Sequence, residues 1–307
     1  MFTLISTFII YITIFFFGMT VMRIGMLNAS EDRLKMYLYR VTDKPIKGLF
    51  FGMILTAAMQ SSSAVTVIAI GLVSAKLISF QQTIGVILGS NIGTTVTGEI
   101  ATIDLGSHFW VLLVLGVVLM FLPYQKAFVA GTFSFGLGSL FCAMNGFQSL
   151  AGPVENLASM RTILDAVNHS LALAIIVGCV FTAIIQSSAA TQLLVMGLAT
   201  ADLLTLPASF AIVLGANIGT CMTALLAALP SGKPARYTAY THTLFNFLGV
   251  LLFYPILPIF ADGVAKVSRA PDQAIAHMSV LFNVITAFLA LPFANSYGRW
   301  VDKILNR

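Results

Sequence analysis

The predicted fold class is an all-α polytopic membrane protein. It consists of two inverted-topology repeats, each with a re-entrant helical hairpin and a broken helix, plus one extra C-terminal span. Three observations predict it. The 307-residue chain is 58% hydrophobic and only 9% charged, too little polar surface for a soluble domain of this length, so lipid must solvate most of it. Gln60-Ser61-Ser62 is followed by Asn91-Ile92-Gly93-Thr94, and Gln186-Ser187-Ser188 is followed at the same spacing by Asn217-Ile218-Gly219-Thr220. The shift between copies is a constant 126 residues from Gly52/Gly178 to Thr97/Thr223, with 18 of those 46 positions identical. Periodic hydrophobicity does not reproduce such motifs in register, so a unit has been duplicated. Third, the charges flanking the two copies are opposite in sign.

Full spans are expected at 2–22, 81–98, 107–122, 127–145, 207–229, 237–260 and 273–293, each near the length that crosses about 30 Å of hydrocarbon. The apolar stretches 46–75 and 170–201 are different, because each carries Gln-Ser-Ser near its middle. A straight helix of that length would run to about 45 Å, too long without strong tilt. Two shorter arms joined by a polar tip fit a re-entrant hairpin, tolerated at depth where protein or a water-filled cavity surrounds it. Repeat 1 then covers 1–125, repeat 2 covers 126–261, and 262–307 holds the extra span and a tail. Residues 31–44 read as an interfacial amphipathic helix.

Topology follows the basic residues. Arg23, Arg33, Lys35, Arg40, Lys44, Lys47 and Lys76 place both ends of the first hairpin in the cytoplasm. Glu99 and Asp104 mark an outer loop, and Lys126 returns inside. The second hairpin is flanked by Glu155, Arg161, Asp165 and Asp202, which suits the outside. Lys233 and Arg236, then Arg299, Lys303 and Arg307, lie inside, so the N-terminus is expected outside and the C-terminus in the cytoplasm. The 261–272 loop, with Lys266 and Arg269, fits this scheme least well. Span, hairpin, span, span gives three crossings per repeat, an odd number that turns the second copy upside down.

Several function classes drop out. The net charge of +5 is spread between spans and sets topology rather than binding nucleic acid. Cys142, Cys179 and Cys221 sit in apolar runs as small packing residues. The four histidines lack ligand spacing, and His108 and His242 are placed near span ends, out of register with the serines. With no nucleophile–base pair, zinc motif or nucleotide loop, an enzyme is not expected. No cleaved signal peptide is expected, because no basic region precedes residues 2–22.

The motifs suggest ion chemistry. Serines at a hairpin tip cap the second arm and leave its first N–H groups free, an anion site without a buried cation. Gln60, Ser61, Ser62 and Ser63 would face Gln186, Ser187 and Ser188 across the midplane and enclose a tetrahedral oxyanion. Free carbonyls, amide oxygens and hydroxyls are hard ligands for a small cation such as Na⁺. Asn91, Gly93, Thr94 and Thr95, with Asn217, Gly219 and Thr220, are read as helix breaks that bind the cation or complete the site. No charged side chain is expected at midplane depth.

Twin Gln-Ser-Ser tips, each followed by Asn-Ile-Gly-Thr, resemble the type II sodium–phosphate cotransporter family, and within it the bacterial members without a C-terminal regulatory domain. The match covers about 42–98 and 168–224. The resemblance implies inorganic phosphate and Na⁺ as partners, Na⁺ as the coupling ion with no other cofactor, and alternating access in the cell membrane; a homodimer is compatible with it. Departures are Ala189 in place of a third serine and the reduced hydroxyl run Ala64-Val65-Thr66. A different oxyanion, phosphate export or a passive anion channel remain alternatives.

Overall fold

The computed structural model describes residues 2–41 and 44–305, with side chains at 2–28, 44–106 and 108–304. Every regular element among them is helical. Helix α1 (Phe2–Val41) leads to a first pair, α2 (Pro45–Met59) and α3 (Ser62–Ser74), then α4 (Phe80–Ala101) and α5 (Phe109–Met120). After α6 (Gln125–Ser149) come two short helices, α7 (Ala151–Glu155) and α8 (Ala158–His169). A second pair, α9 (Leu171–Ile185) and α10 (Ser188–Thr200), precedes α11 (Leu206–Ala228), α12 (Lys233–Phe253), α13 (Leu257–Ala265) and α14 (Pro271–Leu305).

Five stretches among the described residues are long and apolar enough to cross a membrane: Phe2–Asn28, Gln125–Glu155, Leu206–Ala228, Lys233–Ala265 and Pro271–Ile304. The expected span 81–98 is α4, whose 22 residues would reach about 33 Å, but Gln81, Gln82, Asn91 and Glu99 make it polar. The expected span 107–122 is shorter than predicted. Helix α5 has 12 residues, because a 3-10 turn at Gly106–His108 and the bend before Gln125 take up its ends. Residues 31–41 continue α1 rather than forming a separate interfacial helix, and 42–43 lie outside the described residues. Helices α7 and α8 fall between the expected spans. Apolar stripes face outward, such as Ile176, Val180 and Ile184 on α9 or Val114 and Val118 on α5. Such area exposed on a helical bundle is solvated by hydrocarbon.

The two hairpins share their local geometry residue by residue. Gln60 (φ 50°, ψ 35°) and Gln186 (φ 59°, ψ 27°) are left-handed and stop the first arms. Ser61 and Ser187 are extended, and each hydroxyl accepts from the backbone N–H three residues on, at 3.2 Å, capping α3 and α10. The second arms end at left-handed Lys76 and Asp202. There Leu77 N–H donates to Leu72 O and Leu203 N–H to Leu198 O, the six-to-one bond of a Schellman ending.

The expected breaks at Asn91–Thr95 and Asn217–Thr220 do not occur: α4 and α11 run through them unbroken. The glycines there serve close approach instead. A Cβ on Gly93 would strike Met53 O, and one on Gly219 would strike Cys179 O. Gly89 faces Leu49 O and Gly215 faces Ile175 O in the same way. Helix α2 therefore lies backbone-to-backbone on α4, and α9 on α11. Elsewhere aromatic packing joins the spans, as where Phe253 meets Phe282 edge-on at 5.0 Å between α12 and α14.

Candidate functional site

Both tips open onto one cavity of about 90 Å³, several times the ~10–15 Å³ that admits one water. Its lining includes Gln60–Ser63 from one hairpin and Gln186–Ala189 from the other, with Thr94 from α4 and Thr220 from α11. Helix α1 supplies Phe15, Phe16, Met19 and Arg23 as the remaining wall. The structure thus gathers all seven serine and glutamine residues expected to hold an anion, together with two of the expected cation residues.

Two helix starts line the cavity. The N–H groups of Ser62 and Ser63 head α3, and those of Ser188 and Ala189 head α10, where no intrahelical acceptor exists. They carry the positive end of each helix dipole. The threonines offer the opposite polarity. Thr94 Oγ1 donates to Ser90 O and Thr220 Oγ1 to Ala216 O, both at 2.9 Å. Each hydroxyl has used its only proton, so it offers lone pairs, the ligand a hard cation requires.

The tips are not identical. The Gln60 amide is pinned, its Nε2 donating to Ala57 O and its Oε1 accepting from Thr97 Oγ1, both at 2.6 Å. Thr97 closes the duplicated block, yet only the fold shows that it holds a tip. In the other hairpin Thr182 and Thr191 hydroxyls pair at 2.6 Å. Val65 replaces Thr191 in the first copy, and Thr56 Oγ1 is buried without a partner.

Asn91, Gly93, Thr95, Asn217 and Gly219 do not line this cavity. Gly93 and Gly219 pack against the hairpins, and the Thr95 hydroxyl bonds back to Ile92 O. Asn217 Nδ2 is buried unpaired. Asn91 belongs to a neighbouring polar chain: its Nδ2 donates to Asn246 Oδ1 at 3.1 Å, and its Oδ1 lies 3.3 Å from His242 Nε2. Asn246 Nδ2 reaches Cys221 Sγ, beside Thr220, at 3.4 Å. His242 is therefore not near a span end; it lies midway along α12 and is 2% exposed. Arg23, expected beyond the end of the first span, lines the tip cavity. α1 does not stop at residue 22 and carries Arg23 into the cavity wall. A larger cavity of about 320 Å³ between α4, α12 and α14 is lined mainly by Leu, Phe and Ala and offers an anion little.

The sequence pattern of the Na⁺/Pi-cotransporter family matches this chain over 14–149 and again over 150–290. The uncharacterized protein YqeW of Bacillus subtilis is 39% identical over 302 residues, covering 98% of both chains. YjbB of Escherichia coli, whose name assigns it provisionally to inorganic phosphate export, is 26% identical over 94% of this chain and 53% of its own. Human sodium-dependent phosphate transport protein 2B is 36% identical over 42% of this chain and 20% of its own. The chain thus spans about half of YjbB and a fifth of the human protein. No solved structure matches it. Two family matches covering nearly the whole chain, on a bundle of apolar helices, make this multi-pass membrane protein a member of the Na⁺/Pi-cotransporter family, a family of transporters rather than enzymes.

Proposed function

We propose that the protein moves inorganic phosphate across the cell membrane, coupled to Na⁺, by exposing the cavity between the hairpin tips to each side in turn. The observation that carries this reading is the meeting of both Gln-Ser-Ser tips with Thr94 and Thr220 around one small cavity. Helix starts and serine hydroxyls take the oxyanion, and lone-pair oxygens take Na⁺. Energetics set the stoichiometry needed. One Na⁺ moving down about 100 mV and a tenfold gradient releases roughly 3.7 kcal/mol. Concentrating a monovalent anion about a thousandfold against that voltage takes roughly 6.4 kcal/mol and a divalent one roughly 8.7, so about two Na⁺ suffice for the first and about three for the second.

The test is radiolabelled phosphate flux into proteoliposomes under Na⁺, K⁺ or Li⁺ gradients. Saturable flux that needs Na⁺ is expected. Unsaturable flux indifferent to the cation would indicate a passive channel and sink the reading. The name of YjbB favours net export as a second reading, tested by phosphate-loaded vesicles under the reversed Na⁺ gradient.

Inverted repeats (1–125 and 126–261, with 262–307 extra) make the two-sided access geometrically natural. The placement of the hairpin exits supports them. Lys76, at the end of the first hairpin, shares a cavity with Phe80 and Gln82 at the start of α4 and with Lys233 and Asp302. Thr200, at the end of the second, shares one with Thr102 and Asp104 at the far end of α4 and with Asp272. The two exits are thus about one membrane thickness apart along α4. In this reading the N-terminus is outside and the C-terminus is cytoplasmic. Impermeant thiol reagents should label Lys76→Cys from the cytoplasm only and Asp202→Cys from outside only; reaction of both from one side excludes the inversion.

A further inference from the structure

We propose that Arg23 is the side chain that holds the translocated oxyanion, supplying the full positive charge that the helix starts alone do not. This rests on the reading of the tip cavity as the anion site. Arg23 lies on α1 one turn beyond Met19 and two beyond Phe15 and Phe16, so all four share a helix face. That face lines the cavity together with the serines of both tips. Among the described residues neither Asp nor Glu lines the cavity with it, and its Nε is buried without a hydrogen-bond partner.

Arg23 is half-buried near the end of the apolar stretch Phe2–Asn28, beside phenylalanine and methionine, where a guanidinium is costly unless something pairs with it. The hydroxyls and amides that line this cavity offer partial charges only, and no carboxylate is among its described lining residues. An anion arriving from solution would supply the partner that Nε lacks. The guanidinium fork suits a tetrahedral oxyanion, since two parallel N–H groups can take two oxygens of one face. The helix starts of α3 and α10 bring about half a positive charge each to the same cavity. Arg23 thus adds about as much charge as both tips together, and the anion is clamped between one fixed cation and two dipoles.

A positioning role through other residues has less to rest on, because no protein group bonds Nε. Arg23→Gln keeps a planar polar group and removes the charge; Arg23→Lys keeps the charge and removes the fork. In proteoliposomes, Arg23→Gln is expected to raise the KM for phosphate about tenfold to a hundredfold with maximal flux changed far less. Arg23→Lys should restore part of the affinity. With purified protein, the upward shift in melting temperature that millimolar phosphate gives the wild type should vanish in Arg23→Gln and return in part in Arg23→Lys.

An unchanged KM and an unchanged phosphate-induced shift in Arg23→Gln would overturn the assignment. If Ser62→Ala then still cuts flux, the cavity remains the anion site and only the role of Arg23 is lost. If Ser62→Ala is also silent, the site reading itself fails. Should Arg23→Gln not fold, Arg23→Lys decides: a raised KM supports the assignment and a wild-type KM refutes it.

Discussion

Ser62→Ala and Gln186→Ala should each cut Na⁺-dependent flux at sub-saturating phosphate roughly tenfold to a hundredfold while leaving the amount of protein in the membrane unchanged. Both side chains line the cavity where the two tips meet. Losing a hydrogen bond to a charged partner is worth about 1.5–3 kcal/mol, a factor of roughly ten to a hundred in affinity for each change. Gln186 is the cleaner probe of the two glutamines. The Gln60 amide also ties the tip to Ala57 and to Thr97, so Gln60→Ala mixes ligand loss with a loosened hairpin. Transport at wild-type rate by both Ser62→Ala and Gln186→Ala would remove the tips from the mechanism.

Valine at Gly89 or Gly215 should destabilise the fold by at least about 1–3 kcal/mol and suppress transport with it. Each added side chain would begin inside a backbone carbonyl, Leu49 O in one case and Ile175 O in the other, and a backbone atom of a packed helix cannot step aside. Because the two contacts are related by the same 126-residue shift, the losses in thermal stability should be similar. Gly71→Ala is the control: a Cβ there meets nothing within 4 Å, and alanine favours helix by up to about 1 kcal/mol. A melting temperature for Gly89→Val equal to wild type would contradict the packing described.

The hairpins were legible to within a residue, as 46–75 and 170–201 against helices spanning 45–74 and 171–200. Their length, excess over a single span and central polar tip leave few other conformations. The Asn-x-Gly-Thr motifs were legible as special but not in kind. A glycine flanked by hydrogen-bonding side chains reads locally as a weak point in a helix. Whether the neighbouring helix approaches at that point is a tertiary fact, and here it does, so the helix continues. The contact of Arg23 with the cavity was not legible, because an arginine after an apolar run signals a span end by composition, whereas nothing in the backbone stops α1 there. The depth of His242 and its contact with Asn91 depend on how α12 is seated against α4 and α11, which no spacing within one segment encodes. Thr97 lay inside the duplicated block, so its recurrence at Thr223 was the one available signal for it.

The glycine seams have a bearing on how a transporter of this build moves. With α2 fused to α4 and α9 to α11 along their backbones, neither hairpin can flex like a flap while its companion helix stays still. Each pair has to travel as one stiff wedge, tip and threonine together. Anion ligands and cation ligands on a wedge would then shift in concert, and mechanical linkage between two passengers would arise from packing alone, without a relay of protons or a hinge in either helix.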